Sequence, residues 1–410
     1  MTNIARTVRI AGNLPELKRV RTQVGIVGAG PAGLMLGHLL HRQGIDSIIL
    51  ENRSQDYVIE RVRAGVLEQG TVDLMNGVGL GTRLNREGLR HDGIYIAFAG
   101  ARHRIDMAAL TGGRGITVYG QNEVVKDLIA ARTAADAPLH FGVSDVRVTD
   151  LADPQPRLLF NRDGEPCEIA CDFIAGCDGF HGICRTSIPR EHLRTYERDY
   201  PFAWLGILAE APPTSEELVY SLHERGFALF SMRSPTVTRL YLQCAPDEQL
   251  ADWPDERIWS ELETRLGTSD GWRPNQGRIV QKGVTPMRSF VAQPMRYRRL
   301  FLAGDAAHIV PPTGAKGLNL AVADVCRLSN ALAAYYESGS ETLLDQYSDS
   351  GLRRTWRAQR FSWWMTSMLH KSDSDNPFDH QRQIAELDYL VNSRAAMTSL
   401  AESYVGVPLD

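Results

Sequence analysis

The clearest pattern near the start of the chain is an apolar run followed by a glycine-rich turn and a helical stripe. Residues 22–27 form a short apolar run that leads directly into Gly28-Ala29-Gly30-Pro31-Ala32-Gly33. Apolar side chains at positions 34, 36, 39 and 40 then follow the spacing of one helix face, and 47–50 is a second apolar run. The pattern predicts a strand–helix–strand unit that ends at Glu51.

One later segment differs in kind from the rest of the chain. Residues 218–244 alternate between apolar and polar side chains and are interrupted by polar turns at 223–226 and 234–236, which predicts a three-stranded antiparallel meander. Elsewhere the pattern predicts strands at 94–98, 101–105, 172–177 and 300–304, helices at about 121–134 and after 317, and a mostly helical region from 341 onward. We therefore expect a mixed α/β fold: a Rossmann-like nucleotide-binding domain, an inserted β-sheet domain and a helical C-terminal region.

Length and charge narrow the class of protein. The chain has 410 residues, more than one hydrophobic core usually organises, so more than one lobe is expected. A formal net charge of −4 argues against nucleic acid or an anionic membrane as a partner. The longest apolar stretch, 24–40, is interrupted by glycines and a proline, so no membrane span is predicted.

The cysteines and the N-terminal segment indicate a cytoplasmic protein. Four of the six cysteines fall between 167 and 184, but their spacing lacks the Cys-x2-Cys pairs of zinc ribbons. We expect reduced thiols and no metal site. Residues 1–20 are basic and have neither the apolar core nor the cleavage site of a secretory signal, so we interpret them as a poorly ordered arm.

The glycine-rich turn has the spacing of a dinucleotide-binding fingerprint. Gly28, Gly30 and Gly33 permit a tight turn and let the backbone approach a pyrophosphate at the helix N-terminus. Glu51 follows the second predicted strand, where it can accept a hydrogen bond from a ribose. A second glycine-rich segment, 77–81, lacks a preceding strand and is predicted to end a helix. The fingerprint alone leaves NAD and FAD open.

Two motifs at later strand ends favour FAD. They are Gly176-Cys177-Asp178-Gly179 and Leu302-Ala303-Gly304-Asp305-Ala306-Ala307-His308. Together with the fingerprint they resemble the flavoprotein aromatic hydroxylases, and within that family the likeness is to members that act on 4-hydroxybenzoate. The resemblance extends from about residue 22 to 408 and includes the segments 63–70, 174–182, 304–319, 361–367 and 404–406.

The resemblance implies which residues contact FAD. Arg63 would pair with the pyrophosphate, and Asp305 would accept hydrogen bonds from the ribityl hydroxyls. The helix that begins at Gly317 would stabilise negative charge on the flavin, and Lys316 would add positive charge beside it; a solvated surface lysine is the alternative. Arg239 is interpreted as a lever for flavin movement. The full set is Gly28, Gly30, Gly33, Glu51, Arg61, Val62, Arg63, Ala64, Gly65, Val66, Gln121, Asp305, Lys316, Leu318, Asn319 and Arg239.

The electron donor implied by the resemblance is NADH or NADPH, with His181 and Arg288 receiving the nicotinamide nucleotide. Relatives that use NADPH have an arginine directly after the ribose-binding glutamate, whereas this chain has Asn52 there. Glu60 adds a negative charge that disfavours a 2′-phosphate, while Arg53 acts in the opposite sense. We expect NADH to serve at least as well as NADPH.

The meander predicts a recognition surface without help from the resemblance. If 223–226 and 234–236 are its loops, Ser231 lies opposite Arg239, and Leu229 lies between Tyr220 and Tyr241. One sheet face then carries Tyr220, Ser231, Arg233, Arg239 and Tyr241. Such a face suits a small anion. A solvent-exposed polar face, or a register slip of one residue, are the alternatives.

The resemblance assigns these side chains to an aromatic acid. Arg233 would hold the carboxylate with help from Ser231 and Tyr241, and the backbone of Met232 would lie nearby. At the other end of the ring, Tyr220 would meet the phenolic oxygen close to the carbonyl of Pro312. Tyr404 and His91 would extend a proton relay from Tyr220 toward solvent, although a histidine in a loop beside Asp92 is also typical of an ordinary surface residue.

The activity implied by the resemblance is FAD-dependent hydroxylation of 4-hydroxybenzoate to 3,4-dihydroxybenzoate, with NAD(P)H and O2 as co-substrates. A related benzoate such as 4-aminobenzoate or a dihydroxybenzoate is the alternative substrate. A flavin oxidase or a halogenase would share the FAD motifs, and a silent FAD-binding protein would share the fold. A disulfide reductase would need a redox Cys-x4-Cys near the first helix, and the sequence has none. The aromatic C-terminal region suits a homodimer interface.

These elements divide the chain into four expected parts. The arm comprises 1–20, and the FAD-binding domain comprises 21–90, 119–199 and 286–335. The β-rich substrate domain comprises 91–118 and 200–285, and the helical C-terminal or dimer region comprises 336–410.

Overall fold

The computed structural model describes residues 18–61, 65–371 and 376–409. In these ranges the helices are α1 (Pro31–Arg42), α2 (Gln55–Glu60), α3 (Gln69–Gly77), α4 (Gly81–Glu87), α5 (Met107–Leu110), α6 (Gln121–Ala134), α7 (Asp255–Leu266), α8 (Gly317–Ser338), α9 (Thr342–Leu369), α10 (Pro377–Asn392) and α11 (Arg394–Val405). The strands are β1 (Lys18–Val27), β2 (Ser47–Leu50), β3 (Val66–Glu68), β4 (Leu89–His91), β5 (Gly93–Phe98), β6 (Ala101–Asp106), β7 (Ile116–Val118), β8 (Leu139–His140), β9 (Ser144–Thr149), β10 (Arg157–Arg162), β11 (Glu165–Gly176), β12 (Arg194–Glu210), β13 (Val219–Ser221), β14 (Ala228–Ser234), β15 (Val237–Cys244), β16 (Arg278–Gln293), β17 (Arg296–Tyr297), β18 (Leu300–Leu302) and β19 (His308–Ile309).

The first sheet is built around the predicted strand–helix–strand unit. β1 lies between β11 and β2 and is parallel to both, within the order β17-β18-β11-β1-β2-β8. α1 packs against both α6 and α8. The carboxyl ends of β1, β11 and β18 meet at one edge, because Val27 pairs with Gly176 and Gly176 pairs with Leu302. The three sequence motifs follow these three strand ends, so the fold brings them together.

The first strand begins earlier than the sequence predicts. Residues 18–21 pair in register with residues 167–170 of β11, and Arg21 forms an ion pair with Asp172 at 2.8 Å. The basic arm predicted for 1–20 is therefore wrong for residues 18–20, because two exposed basic side chains and one exposed valine do not form the apolar run that predicts a strand. The remainder of that arm lies outside the described residues.

The second sheet contains the predicted meander, in the order β19-β16-β12-β15-β14-β13-β5-β6. Ser231 pairs with Arg239, and Leu229 pairs with both Tyr220 and Tyr241, as the loop positions predict. The register shifts between Met232 and Ser234, so a bulge occurs at Arg233. Outside this bulge the strands are therefore paired in the predicted register, without a shift by one residue.

The C-terminal helices close one face of this second sheet. Phe361 and Met365 of α9 and Leu400 and Tyr404 of α11 share one apolar core with Tyr220 of β13. The polar face of the meander is therefore covered by protein, and the alternative of a solvent-exposed face is wrong. No helix within the described ranges combines the length and apolar character needed to cross a membrane.

Candidate active site

The glycine-rich turn leaves space where a bound nucleotide would approach it. Gly28 has φ of 102°, and a Cβ there would lie 2.3 Å from the carbonyl oxygen of Cys177. A Cβ on Gly33 would lie 1.9 Å from the carbonyl oxygen of Gly28. A Cβ on Gly30 would meet no atom within 4 Å, although Gly30 precedes α1 directly. Two glycines are thus required by the tight turn, and the third borders open space at a helix N-terminus.

Glu51 holds this turn by hydrogen bonds to the backbone. Its Oε2 accepts from the N–H of Ala29 at 2.8 Å, and its Oε1 accepts from the N–H of Arg53 at 2.9 Å. The carboxylate is half-buried at the end of β2, and each oxygen has a second lone pair for a ribose hydroxyl.

The Gly-Asp motif is held by a buried ion pair behind it. Asp324 of α8 accepts from the N–H of Gly304 at 3.0 Å and lies 2.7 Å from Nε2 of His308. Burial lowers the pKa of His308, but the Asp324 carboxylate outweighs this effect and the net shift is upward. The next side chain, Asp305, is exposed at the sheet edge where the motifs meet. Its exposed carboxylate, the open space at Gly30 and the lone pairs of Glu51 fit the hydroxyl and phosphate chemistry of FAD.

Several predicted cofactor residues lie at or near the ends of helices. Gln121 begins α6, Leu318 lies in the first turn of α8, and Arg61 is exposed at the end of α2. Gly65 allows a close approach, since a Cβ there would lie 2.3 Å from the carbonyl oxygen of Tyr119. Val62, Arg63 and Ala64 lie outside the described residues.

The side chain of Asn319 is fully engaged with the protein. Its Oδ1 accepts from the N–H of Glu68 and the hydroxyl of Thr71, and its Nδ2 donates to the carbonyls of Val66 and Ala315. Asn319 therefore ties the start of α8 to β3. Any contact with the cofactor would use its backbone.

Lys316 is neither a surface lysine nor an unpaired charge. It is 4% exposed, and its Nζ lies 2.7 Å from Oε1 of Glu68 and 2.9 Å from the carbonyl oxygen of Tyr404. Burial lowers its pKa, an effect that Glu68 partly offsets. The positive charge predicted beside the flavin is compensated by Glu68, a partner 248 positions away that the sequence pattern does not reveal.

A cavity lies on the polar face of the meander. The predicted substrate residues that line it are Tyr220, Ser231, Arg233, Tyr241 and Pro312. Gly65 and Val66, expected at the cofactor, also line it, so the cavity adjoins the proposed flavin site. Met232 points away from it: its side chain packs in the core beneath the opposite face of the meander, while its carbonyl accepts from Ser231 at 3.4 Å.

Arg233 and Tyr241 lie together at one part of the cavity wall. Arg233 is half-buried beside Tyr241, and burial lowers its pKa while Tyr241 acts in the opposite direction. The guanidinium of Arg239 lies 5.2 Å from the centre of the Tyr241 ring. Positive charge is thus concentrated next to Ser231 and Tyr241, which is the environment a carboxylate requires.

Two buried tyrosines lie together at another part of the cavity wall. The hydroxyls of Tyr220 and Tyr404 are hydrogen-bonded to each other, and the two residues are 2% and 1% exposed. Burial raises the pKa of both phenols. Both are therefore protonated at neutral pH, and each can donate one proton while accepting another.

The position of His91 agrees neither with the proton-relay interpretation nor with the surface-loop interpretation. It is the last residue of β4 and is 1% exposed, so the surface-loop alternative is wrong. Neither ring nitrogen hydrogen-bonds any residue in the described part of the chain, and no bond connects it to Tyr220 or Tyr404. Burial lowers its pKa to about 4. The structure does not bring His91 into the tyrosine pair.

His181 and Arg288 both contact one aromatic ring, that of Phe180. The His181 ring packs edge-on against Phe180 at 5.0 Å, and the Arg288 guanidinium lies 4.9 Å from the centre of the Phe180 ring. Arg288 also lies 3.7 Å from Asp199. Both predicted residues therefore belong to one cluster, which is formed by the segment after β11 and by β16.

Trp204, Leu218 and Ala315 also line the cavity and were not predicted. Gly206 pairs with Tyr241, so Trp204, two residues earlier on β12, projects from the same face. Alternation along residues 202–208 could have placed Trp204 on one face, but only the pairing of β12 with β15 makes that face the polar one.

Comparison with known proteins adds independent information. Residues 21–362 match the family model described as FAD binding domain. The chain is 49% identical over 394 residues to the p-hydroxybenzoate hydroxylase of Acinetobacter baylyi, which covers 96% of this chain and 97% of that protein. It is 26% identical over 343 residues to a 3-(3-hydroxy-phenyl)propionate/3-hydroxycinnamic acid hydroxylase of Mycobacterium sp. (strain JLS), covering 80% of this chain and 56% of that protein.

Solved structures share the fold at lower identity. The p-nitrophenol 4-monooxygenase of Pseudomonas putida superposes with a TM-score of 0.80 at 19% identity, over 95% of this chain and 99% of that one. The flavin-dependent halogenase CmlS superposes with a TM-score of 0.72 at 18% identity, over 93% of this chain and 72% of that one. Since a hydroxylase and a halogenase share this fold, the reaction must be argued from the site.

Proposed function

Because the chain belongs to the family of FAD-dependent aromatic hydroxylases, we propose that it converts 4-hydroxybenzoate to 3,4-dihydroxybenzoate with NAD(P)H and O2. The observation that carries this proposal is one cavity that is lined by both Arg233 and Tyr220. The phenol of Tyr220 is hydrogen-bonded to a second buried phenol, that of Tyr404. An oxidase or a halogenase has no evident need for that combination.

The first sheet is proposed to hold FAD. When bound, FAD would accept hydride from the nicotinamide and activate O2. The Gly30 backbone would face the pyrophosphate, and the Glu51 and Asp305 carboxylates would accept from ribose and ribityl hydroxyls. Gly65 and Val66 would separate this group from the substrate, because they border the cavity as well.

The polar end of the cavity is proposed to hold the carboxylate. Arg233 supplies two parallel N–H donors, a geometry that matches a carboxylate, and Ser231 and Tyr241 add hydroxyl donors. The neighbouring Arg239 increases the positive potential there.

The tyrosine pair is proposed to prepare the phenol of the substrate. A free phenol with a pKa of about 10 is mostly protonated at pH 7, whereas the ring is far more reactive as a phenolate. Tyr220 would accept the substrate proton or stabilise the resulting anion by donation, and Tyr404 would take the next step of the transfer. The low exposure of both residues excludes water from the reacting ring.

The nicotinamide donor is proposed to approach from the His181 and Arg288 cluster. Arg288 supplies positive charge for a pyrophosphate, and the aromatic faces of His181 and Phe180 offer a stacking surface.

Two wider assignments are proposals of the same kind. A homodimer is supported by apolar side chains that α9 and α10 leave exposed, namely Trp356, Trp363, Phe378 and Tyr389. A cytoplasmic location is supported by six buried cysteines that form no disulfide. Light scattering on the purified protein and fractionation of the producing cells test the two assignments.

One experiment tests the activity. The purified protein is examined for a flavin spectrum, and NADH and NADPH oxidation is then followed with 4-hydroxybenzoate, 4-aminobenzoate, 3,4-dihydroxybenzoate and no aromatic acid, while H2O2 and ring product are quantified. We expect 4-hydroxybenzoate to accelerate oxidation and to yield 3,4-dihydroxybenzoate. Oxidation that no benzoate accelerates would contradict the proposal.

A further inference from the structure

The last turn of α9 contacts two separate walls of the substrate cavity. Thr366 Oγ1 lies 2.8 Å from Thr313 Oγ1, in the 3-10 turn that begins at the cavity residue Pro312. His370, one turn further on, accepts a hydrogen bond at 2.6 Å from the indole N–H of Trp204, a second cavity residue. One helical turn thus reaches both the Pro312 turn and β12.

The hydrogen bonds of His370 are compatible with a single neutral tautomer. Its Nδ1 lies 3.0 Å from the carbonyl oxygen of Thr366, and because a carbonyl can only accept, Nδ1 carries the proton. Nε2 is then the acceptor that the Trp204 indole requires. Burial lowers the pKa of His370 to about 3, and the ring is stacked on Phe227 and Phe202 with centroids 4.3 and 4.7 Å away. The acceptor for Trp204 is therefore fixed in direction.

The turn that carries these two side chains is itself held from both sides. Gln383 of α10 donates to the carbonyls of Ser367 and His370, and Gln243 of β15 accepts from the N–H of Lys371 at 3.1 Å. Close packing adds to this. A Cβ on Gly314 would lie 3.0 Å from the hydroxyl oxygen of Ser362 on α9. The turn is thus rigid enough to transmit position to its partners.

We propose that Thr366 and His370 are positioning residues that fix the Pro312 and Trp204 walls relative to each other, so that the aromatic acid is held in one orientation for hydroxylation. The proposal rests on the proposed function. Neither residue lines the cavity, and each acts through the wall residue it contacts. A loosened wall leaves space for water and for displacement of the ring, which favours release of H2O2 over ring hydroxylation.

The chain offers a matched control for Thr366. Thr355 lies on the same helix and is also fully buried, but its hydroxyl bonds the carbonyl of Gly351 within α9. Thr366→Val and Thr355→Val therefore delete the same group from the same helix, and only the first removes a link to the cavity. Thr366→Ser keeps the hydroxyl and serves as the rescue variant.

The experiment measures three quantities for each variant: the dissociation constant for 4-hydroxybenzoate, the fraction of reductant that appears as ring product, and the rate of flavin reduction. We expect Thr366→Val to weaken binding about fivefold, the factor of one neutral hydrogen bond, and to increase the H2O2 fraction. Thr366→Ser and Thr355→Val should resemble the wild type. Equal values for Thr366→Val and Thr355→Val would overturn the proposal for Thr366.

His370→Phe tests the second link. It keeps a stacked ring and removes the acceptor for Trp204 together with the Nδ1 donor, while the Thr366 carbonyl still accepts from the backbone N–H of residue 370. We expect more H2O2 and weaker binding, with recovery in His370→Gln, whose amide oxygen can accept. If Thr366→Val does not fold, Thr313→Val/Thr366→Val removes both hydroxyls and leaves no unpaired group. Wild-type coupling in that double variant and in His370→Phe would contradict the proposal. A wild type that forms no ring product would instead overturn the proposed function.

Discussion

At the scale of single residues, Arg233 is the side chain that is proposed to select the ligands of the cavity. Its guanidinium is half-buried next to Tyr241, where an anionic ligand would be largely desolvated. We expect Arg233→Ala to weaken 4-hydroxybenzoate binding by roughly 3–5 kcal/mol, more than a hundredfold, and to leave FAD content unchanged. Equilibrium titration of the flavin absorbance gives both values.

The neutral analogue 4-hydroxybenzamide is the control ligand for this variant. Its affinity should change little, because it carries no charge for Arg233 to pair. A change of less than about threefold in the 4-hydroxybenzoate dissociation constant, small against the loss of a buried ion pair, would show that the carboxylate binds elsewhere.

Tyr220 and Tyr404 are proposed to act in ring hydroxylation and not in flavin reduction. Tyr220→Phe removes the hydroxyl that faces the cavity, so we expect flavin reduction to continue while most reductant appears as H2O2. Tyr404→Phe should have the same effect more mildly, being one hydrogen bond further from the substrate. Product and H2O2 per NAD(P)H oxidised are the measurements.

Tyr336→Phe provides the control for that pair. Its hydroxyl lies 3.0 Å from Oδ2 of Asp172 and 3.3 Å from the carbonyl oxygen of Gln23, both within strands of the first sheet, and Tyr336 does not line the cavity. The Tyr336→Phe variant should form as much ring product per NAD(P)H oxidised as the wild type does. If Tyr220→Phe couples equally well, the tyrosine pair has no role in proton transfer.

At the scale of elements, α2 bears on the choice between NADH and NADPH. Asn52 is exposed just before this helix, and the Arg53 guanidinium lies 5.2 Å from the centre of the Tyr57 ring. We expect kcat/KM for NADH to equal or exceed that for NADPH. Asn52→Arg should shift the ratio toward NADPH by about fivefold, the upper range of an exposed ion pair.

Asn392→Arg, on α10, adds the same charge at a distant exposed position and should leave the ratio unchanged. A wild-type preference for NADPH of about tenfold or more would exceed what exposed charges contribute and would show that Arg53 or Arg61 compensates for Asn52.

The elements that could be predicted are those that local patterns specify. The glycine spacing fixes the turn at Gly28, and two polar loops fix the register that places Ser231 opposite Arg239. The start of β1 at Lys18 was missed because pairing with β11, and not apolar character, makes it a strand. The link between His370 and Trp204 joins residues 166 positions apart, and no local pattern specifies such a contact.

At the scale of the whole molecule, two buried histidines make stability depend on pH. Burial lowers the pKa of His91 to about 4 and of His370 to about 3, whereas the unfolded chain binds these protons near 6.5. As pH falls below 6.5 the unfolded state gains protons that the folded state does not. Each group should therefore cost up to about 1.4 kcal/mol of stability per pH unit until its folded pKa is reached.

Urea unfolding between pH 7 and pH 5 measures this slope. His91→Leu should flatten it, because the variant removes one of the two groups, and replacement of the exposed His41 by leucine should not. Equal slopes for His91→Leu and the wild type would show that His91 does not contribute.

The pairing of Tyr220 with Tyr404 also bears on the order of events during folding. The two residues are 184 positions apart, and contacts across so long a stretch of chain form slowly. The fully buried core around the sheet that is proposed to hold FAD ends at Leu352 of α9, so it can be complete before α11 docks. A chain at that stage would already consume reductant but would lack its second phenol. Under the proposed function, a chain whose α11 has not yet docked would therefore release peroxide.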